Sequence, residues 1–229
     1  MKKRSPFDKN KSLLDRAERK FGRFAVKNLM LILVFNMGFI FLADLFLRLM
    51  PDMGLPPNIS NLLYFSRPLI LSGQVWRVLS FILLPPNTSI IFIVFALVFF
   101  YYTGSVLERE WGAFKFNLFY LCGVLGTIAA GFISGFATNM YLNLSLFLAF
   151  AILFPNYEIR IYFLIPVKVK YLAIVNALFL LWGLIFNSWG GRLSIIVSLL
   201  NIILFFGGDF INIIKRTQRK KKWERDNRR

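Results

Sequence analysis

The chain has 229 residues, of which 57% are hydrophobic and 17% aromatic, with 27 phenylalanines. A water-soluble domain of this size needs far more polar surface, so composition excludes one and indicates an integral membrane protein. The formal charge of +17 sits largely at the ends, with ten Lys/Arg in residues 1–27 and nine in 215–229. Beside so apolar a core, such ends favour an anionic lipid surface over a specific nucleic acid, at about 1 kcal/mol per basic residue. The chain has no histidine and a single cysteine, Cys122, inside an apolar run. An intramolecular disulfide is therefore impossible, and the commonest general base and metal ligand are missing. No metal-ligand spacing or Gly-rich phosphate loop occurs, so no metal and no cofactor are expected.

In chain order, residues 1–28 form a basic N-terminal segment. Leu13, Leu14, Ala17, Phe21 and Phe24 recur there at helical spacing between Lys and Arg, which predicts an amphipathic helix on the cytoplasmic face. No cleavable signal peptide is expected, because the first apolar run starts late, is long and lacks a small-residue cleavage site. Six apolar spans follow, at 29–49, 88–107, 115–136, 140–154, 171–187 and 193–213. The hydrocarbon core is about 30 Å thick, and the fourth span, at about 1.5 Å per residue, reaches only about 22 Å. It is also polar at its start, with Asn139, Asn143 and Ser145. A short polar helix is tolerated when it is buried in a bundle, lines a wet cavity or sits in thinned bilayer. The 51–87 loop contains the apolar stretch GQVWRVLSFILLPP, too short to cross and stopped by Pro85-Pro86, so a partly submerged loop is expected. Six spans and two basic ends place both termini in the cytoplasm, with residues 215–229 as a basic tail.

Two stretches carry specific information. The first is Trp76-Arg77 followed by Ser80; the second is GSVLEREWG, in which Gly104, Glu108 and Gly112 recur every fourth residue on one helix face. Glycines on such a face let a neighbouring helix approach, and Glu108 can accept hydrogen bonds from a nearby loop or stay solvated. Two acids lie within spans. Asp44 is four residues before Arg48, which favours an i,i+4 pair; Asp209, six residues before Lys215, could neutralise the inner end of its helix bundle. Two scattered carboxylates are thin support for a transporter.

Taken in order over residues 29–214, these motifs resemble the rhomboid superfamily, the intramembrane serine proteases and their inactive relatives, including derlins. The resemblance implies an all-α, six-transmembrane-helix bundle and lets the catalytic parts be checked. The family's Gly-x-Ser-Gly at the start of a short fourth helix is matched here by Asn143-Leu144-Ser145-Leu146. Ser145 keeps the serine, but both glycines are replaced by larger residues that would fill the oxyanion site. Phe205, before Gly207-Gly208, stands where the histidine base belongs, and Phe92 and Ala96 stand where the second helix would offer His and Asn. A second serine candidate, at 133–135, ends the third span, on the wrong helix. An unassisted serine is a poor nucleophile, and Lys168 and Lys170 belong to the opposite membrane face.

The expected function is therefore that of a pseudoprotease, not an enzyme. It would bind transmembrane helices of client membrane proteins and aid their quality control or assembly. Asn139, Asn143 and Ser145 would form a polar wall toward the client, and Trp76 and Arg77 would anchor the outer loop. The alternatives are a rhomboid-type serine protease with altered machinery, or a scaffold whose basic ends recruit ribosome, RNA or anionic lipid. A bacterial cytoplasmic membrane is the expected location, or the endoplasmic reticulum if the source is eukaryotic.

Overall fold

The computed structural model describes residues 17–50, 58–86, 90–161 and 165–206. Leu13, Leu14, Gly207-Gly208, Asp209 and the tail beyond Lys215 lie outside the described residues. The protein is an all-α multi-pass membrane protein. Five described helices are long and apolar enough to cross a bilayer, the first continuing from a stretch that begins at Ala17. They are α1 (Leu29–Leu49), α5 (Ile90–Trp111), α6 (Ala113–Ser134), α8 (Val169–Phe186) and α9 (Trp189–Phe206). The shorter α7 (Met140–Leu153) has 14 residues. Three short helices, α2 (Ser60–Leu63), α3 (Arg67–Leu71) and α4 (Arg77–Ser80), fold the first loop.

Two small antiparallel ladders accompany the helices. β1 (Phe65–Ser66) pairs with β2 (Phe136–Ala137), tying the first loop to the α6–α7 turn. β3 (Glu158–Ile161) pairs with β4 (Ile165–Lys168) between α7 and α8. Alternation along that hairpin places Glu158 opposite Lys168 and Ile159 opposite Val167, so charge and apolar bulk separate to its two faces.

α7 is the centre of the bundle. Nine of its fourteen residues are buried, the asparagine and serine included. A helix that is apolar on every side has no surface to give to water or lipid and is stable where neighbours surround it. Phe147 meets Phe99 of α5 at 5.3 Å between ring centroids, and Phe150 meets Tyr102 at 6.2 Å. Tyr141 packs with Leu180 of α8 and Ile195 of α9. At about 1.5 Å per residue α7 spans only about 21 Å, so it cannot cross on its own; burial makes that length tolerable.

The outer helices are one-sided. On α8, Val169, Asn176, Leu180 and Gly183 are buried, while Ile174, Val175, Leu178, Leu181 and Trp182 are exposed. In a membrane protein the exposed apolar side is the lipid side, with no hydrophobic penalty.

Candidate functional site

The first loop is held by side chains that close both ends of a single-turn helix. α2 is too short to satisfy its own terminal N–H and C=O groups. At its N-terminal end, Asp44 of α1 accepts the Ile59 N–H at 2.6 Å, the Ser60 N–H at 3.2 Å and the Ser60 hydroxyl at 2.5 Å. At its C-terminal end, the Arg77 guanidinium donates to the carbonyls of Asn61 and Tyr64, both at 3.0 Å. The Trp76 indole donates to Leu62 O at 3.0 Å and the Ser80 hydroxyl to Leu63 O at 2.8 Å. Four consecutive carbonyls, Asn61 to Tyr64, are thus taken by two residues of α4, Arg77 and Ser80, plus Trp76 just before it. Arg77 is 3% exposed, its Nε bonds Gln74 Oε1 at 2.7 Å, and it lies over the Tyr64 ring. The expected Asp44–Arg48 pair does not form. Arg48 turns to Asn58 Oδ1, because two backbone N–H groups and a hydroxyl outbid a single flexible, solvent-facing cation. Truncation of Asp44 to alanine orphans those donors. An expected loss of about 2–3 kcal/mol follows, readable as a lowered midpoint of thermal unfolding in detergent.

Gly104, Glu108 and Gly112 do three different things. A Cβ on Gly104 would lie 2.3 Å from Met30 Cγ and 2.7 Å from Met30 Cβ, so α1 crosses α5 where only glycine fits. One turn on, Glu108 Oε1 accepts the Asn28 N–H at 2.6 Å, fixing the residue that precedes α1. Asn28 has φ 55, a left-handed conformation that asparagine tolerates. Gly112 is not a packing glycine. It lies just past α5 with φ 85 and no close neighbour, and makes the turn into α6.

Asn139, Asn143 and Ser145, expected to stand together, are dispersed. Ser145 is fully buried, and its hydroxyl donates to Leu142 O at 2.7 Å within its own helix. Asn139 donates to the carbonyls of Ile82 and Leu84 at 3.1 and 2.8 Å, which anchors the end of the first loop onto the start of α7. Asn143 is 7% exposed, and its Oδ1 is buried without a hydrogen-bond partner. At about 100° per residue, Asn139 and Asn143 share a face while Ser145 points about 200° away from Asn143. The three therefore form no single wall, and none presents its side chain on an outer surface. Phe205 packs edge-on against Phe119 at 5.2 Å. Phe92 is half-exposed, and Ser134 bonds Ala130 O and Phe136 O in the turn after α6. Lys168 is in β4 at the foot of α8, opposite Glu158, on the far side from the start of α7.

Sequence reasoning missed a second polar seam around α7. Asn176 of α8 donates to Leu144 O at 3.4 Å, Ser198 of α9 to Tyr141 O at 2.8 Å, and Asn187 to the Tyr141 hydroxyl at 2.7 Å. Asn201 donates to Phe119 O at 3.2 Å. The Oδ1 atoms of Asn176 and Asn201, like that of Asn143, are buried and unpartnered. The available signal was an asparagine inside an apolar span, which almost always faces protein.

A family model described as "Eukaryotic integral membrane protein (DUF1751)" matches residues 26–206, a stretch that takes in every helix from α1 to α9. No curated protein matches the chain. With its motifs, loop and six apolar helices all inside the matched region, the chain belongs to this eukaryotic integral membrane protein family.

Proposed function

We propose that the protein is a catalytically inactive, rhomboid-like membrane protein that binds transmembrane helices of client proteins. The observation that carries the reading is Ser145. It is buried, its hydroxyl is bonded to the backbone of its own helix, and among the described residues no side-chain base bonds it, at the position where the resemblance puts a nucleophile. A serine without a base does not attack a peptide. The architecture is a short central helix, a first loop tied to its start, and outer helices that turn broad apolar faces outward.

The client-binding surface is the gap between α5 and α8. Both helices pack against α7, and each turns broad apolar faces outward. In the helices beside it, Asn143 of α7 and Asn176 of α8 are buried, and their amide oxygens are unpartnered acceptors. A client helix carrying a hydroxyl or an unsatisfied N–H gains a hydrogen bond there worth about 0.6 kcal/mol on average. This replaces a wall of Asn139, Asn143 and Ser145, two of which are already committed inside the fold. The short α7 would also thin the bilayer locally and lower the cost of a client's polar residues. Assistance in quality control or assembly follows from such binding.

On this reading both termini are cytoplasmic, and Arg19, Lys20, Arg23 and Lys27 before α1 would meet anionic lipid there. The family's eukaryotic description supports the endoplasmic reticulum over a bacterial membrane.

Two measurements test the reading. A fluorophosphonate probe is expected to leave the purified protein unlabelled; labelling that Ser145→Ala abolishes would restore the protease. Photocrosslinkers at 143, 176 and 178 are expected to capture other membrane proteins. Capture of self-contacts alone would sink client binding.

A further inference from the structure

At the end of α5 a cleft of about 330 Å³ is lined by Tyr101, Tyr102, Ser105, Glu108 and Arg109, with Asn28 before α1 and Ala113 of the first turn of α6. We propose that this cleft holds the headgroup of a zwitterionic, amine-bearing phospholipid of the phosphatidylethanolamine type. The proposal is independent of client binding and of the basic termini.

Three features lead there. The first is charge. Arg109 uses only its Nε within the described fold, bonding Ser105 O at 3.3 Å, which leaves the terminal nitrogens of its fork for a phosphate. Glu108 is engaged through Oε1 by Asn28 N–H and retains a second carboxylate oxygen. One cation and one anion on adjacent residues suit a ligand that carries both signs. A purely anionic head would meet the Glu108 carboxylate. A quaternary ammonium could not donate a hydrogen bond to it, whereas a primary ammonium donates three.

The second feature is depth. Tyr101 and Arg109 are eight residues apart, about 12 Å along the helix. The polar layer of one leaflet is roughly 5–8 Å thick, so Arg109 at the outer edge of the headgroup region puts Tyr101 about 4–7 Å below the hydrocarbon boundary, with its hydroxyl able to reach back toward the interface where tyrosine is enriched. The third feature is continuity. Ile91, Val94, Val98 and Tyr101 are exposed in one stripe along α5 that runs into the cleft. Acyl chains can lie on that stripe while the head occupies the cleft, whose volume is at the low end for small-molecule sites and fits a head without its chains. The amides of the first turn of α6, uncapped by the Gly112 position, add a positive pole on the phosphate side.

The test uses the full chain in phosphatidylcholine vesicles with a photoreactive phosphatidylethanolamine, and mass spectrometry to locate the adduct. Adducts are expected on the 98–113 segment. Unlabelled phosphatidylethanolamine should displace the probe at about tenfold lower mole fraction than phosphatidylcholine or phosphatidylserine, the ratio that one charge-assisted hydrogen bond supplies. Arg109→Gln should reduce labelling by about tenfold on the same basis. Ser105→Phe, which fills the cleft and keeps both charges, should also abolish it, with thermal unfolding confirming that each variant is folded. Equal displacement by all three lipids, or labelling unchanged in both variants, would overturn the site as mere annular contact. Displacement by inorganic phosphate would overturn the lipid assignment in favour of a free anion.

Discussion

Arg77→Ala is expected to lower stability by about 3–4 kcal/mol, the largest loss of any single truncation in the first loop. The change removes a buried guanidinium and leaves the carbonyls of Asn61 and Tyr64 without donors, each at about 1–3 kcal/mol. It also removes the stacking on Tyr64 and the bond that Arg77 Nε donates to Gln74 Oε1. For a chain of this size about 2–4 °C accompanies each kcal/mol, so unfolding in detergent should shift down by roughly 6–15 °C. Arg77→Lys should fall between the two, because a point charge reaches one carbonyl well but does not reproduce the planar fork. Trp76 gives a local readout, since its indole bonds Leu62 O beside the same helix. Its fluorescence should change in Arg77→Ala before the global transition. A midpoint within about 2 °C of the wild type would mean the loop is held by packing and not by this guanidinium.

Gly104→Val is expected to be comparably damaging by a different route. A Cβ there sits 2.3 Å from Met30 Cγ and 2.7 Å from Met30 Cβ. Those atoms are near the root of a fully buried side chain, so rotamer changes alone cannot clear them and α1 must move off α5. Overpacking of this kind costs about 1–3 kcal/mol or more, and the displacement also lengthens the Asn28–Glu108 hydrogen bond one turn away. Gly104→Ala should show a smaller version of the same loss. Gly38, on the same helix pair, provides the control, because its Cβ would meet Leu97 Cδ1 at an ordinary 3.4 Å. Gly38→Ala should be neutral or stabilising, since alanine favours helix over glycine by about 1 kcal/mol. Hydrogen exchange at the Asn28 amide should speed up in Gly104→Val and not in Gly38→Ala. Equal behaviour of the two variants would refute the close crossing.

The bond network explains why some residues were legible in advance and others were not. Arg77 was readable because a charged residue in an apolar, proline-terminated stretch must find carbonyls. Glu108 and Gly104 were readable because helical spacing puts them on one face. Gly112 carries the same spacing, yet its role depends on where α5 ends, one residue earlier at Trp111. Periodicity does not mark that point. Asp44 failed for a related reason: the i,i+4 rule compares partners within one helix, and Asp44's partners lie 15 and 16 residues away in a loop. Asn139 and Ser145 looked alike as polar residues in one short span. Their separation around the helix was computable from the numbering, but what each side met was not.

The amino-acid sequence by itself determined the membrane class, the positions of the apolar helices and the shortness of the fourth. The expected span 140–154 became Met140–Leu153, because hydrophobic length is a local property that the bilayer reads directly. Only the tertiary structure decided which polar atoms are used and which are left over. Asn139 closes a loop 55–57 residues away and Ser145 bonds three residues back, while the amide oxygens of Asn143 and Asn176 remain open. Hydrogen-bond partners are short-range in space and unrestricted along the chain, so the packing of α7 among α5, α8 and α9 had to be known before any of them could be assigned.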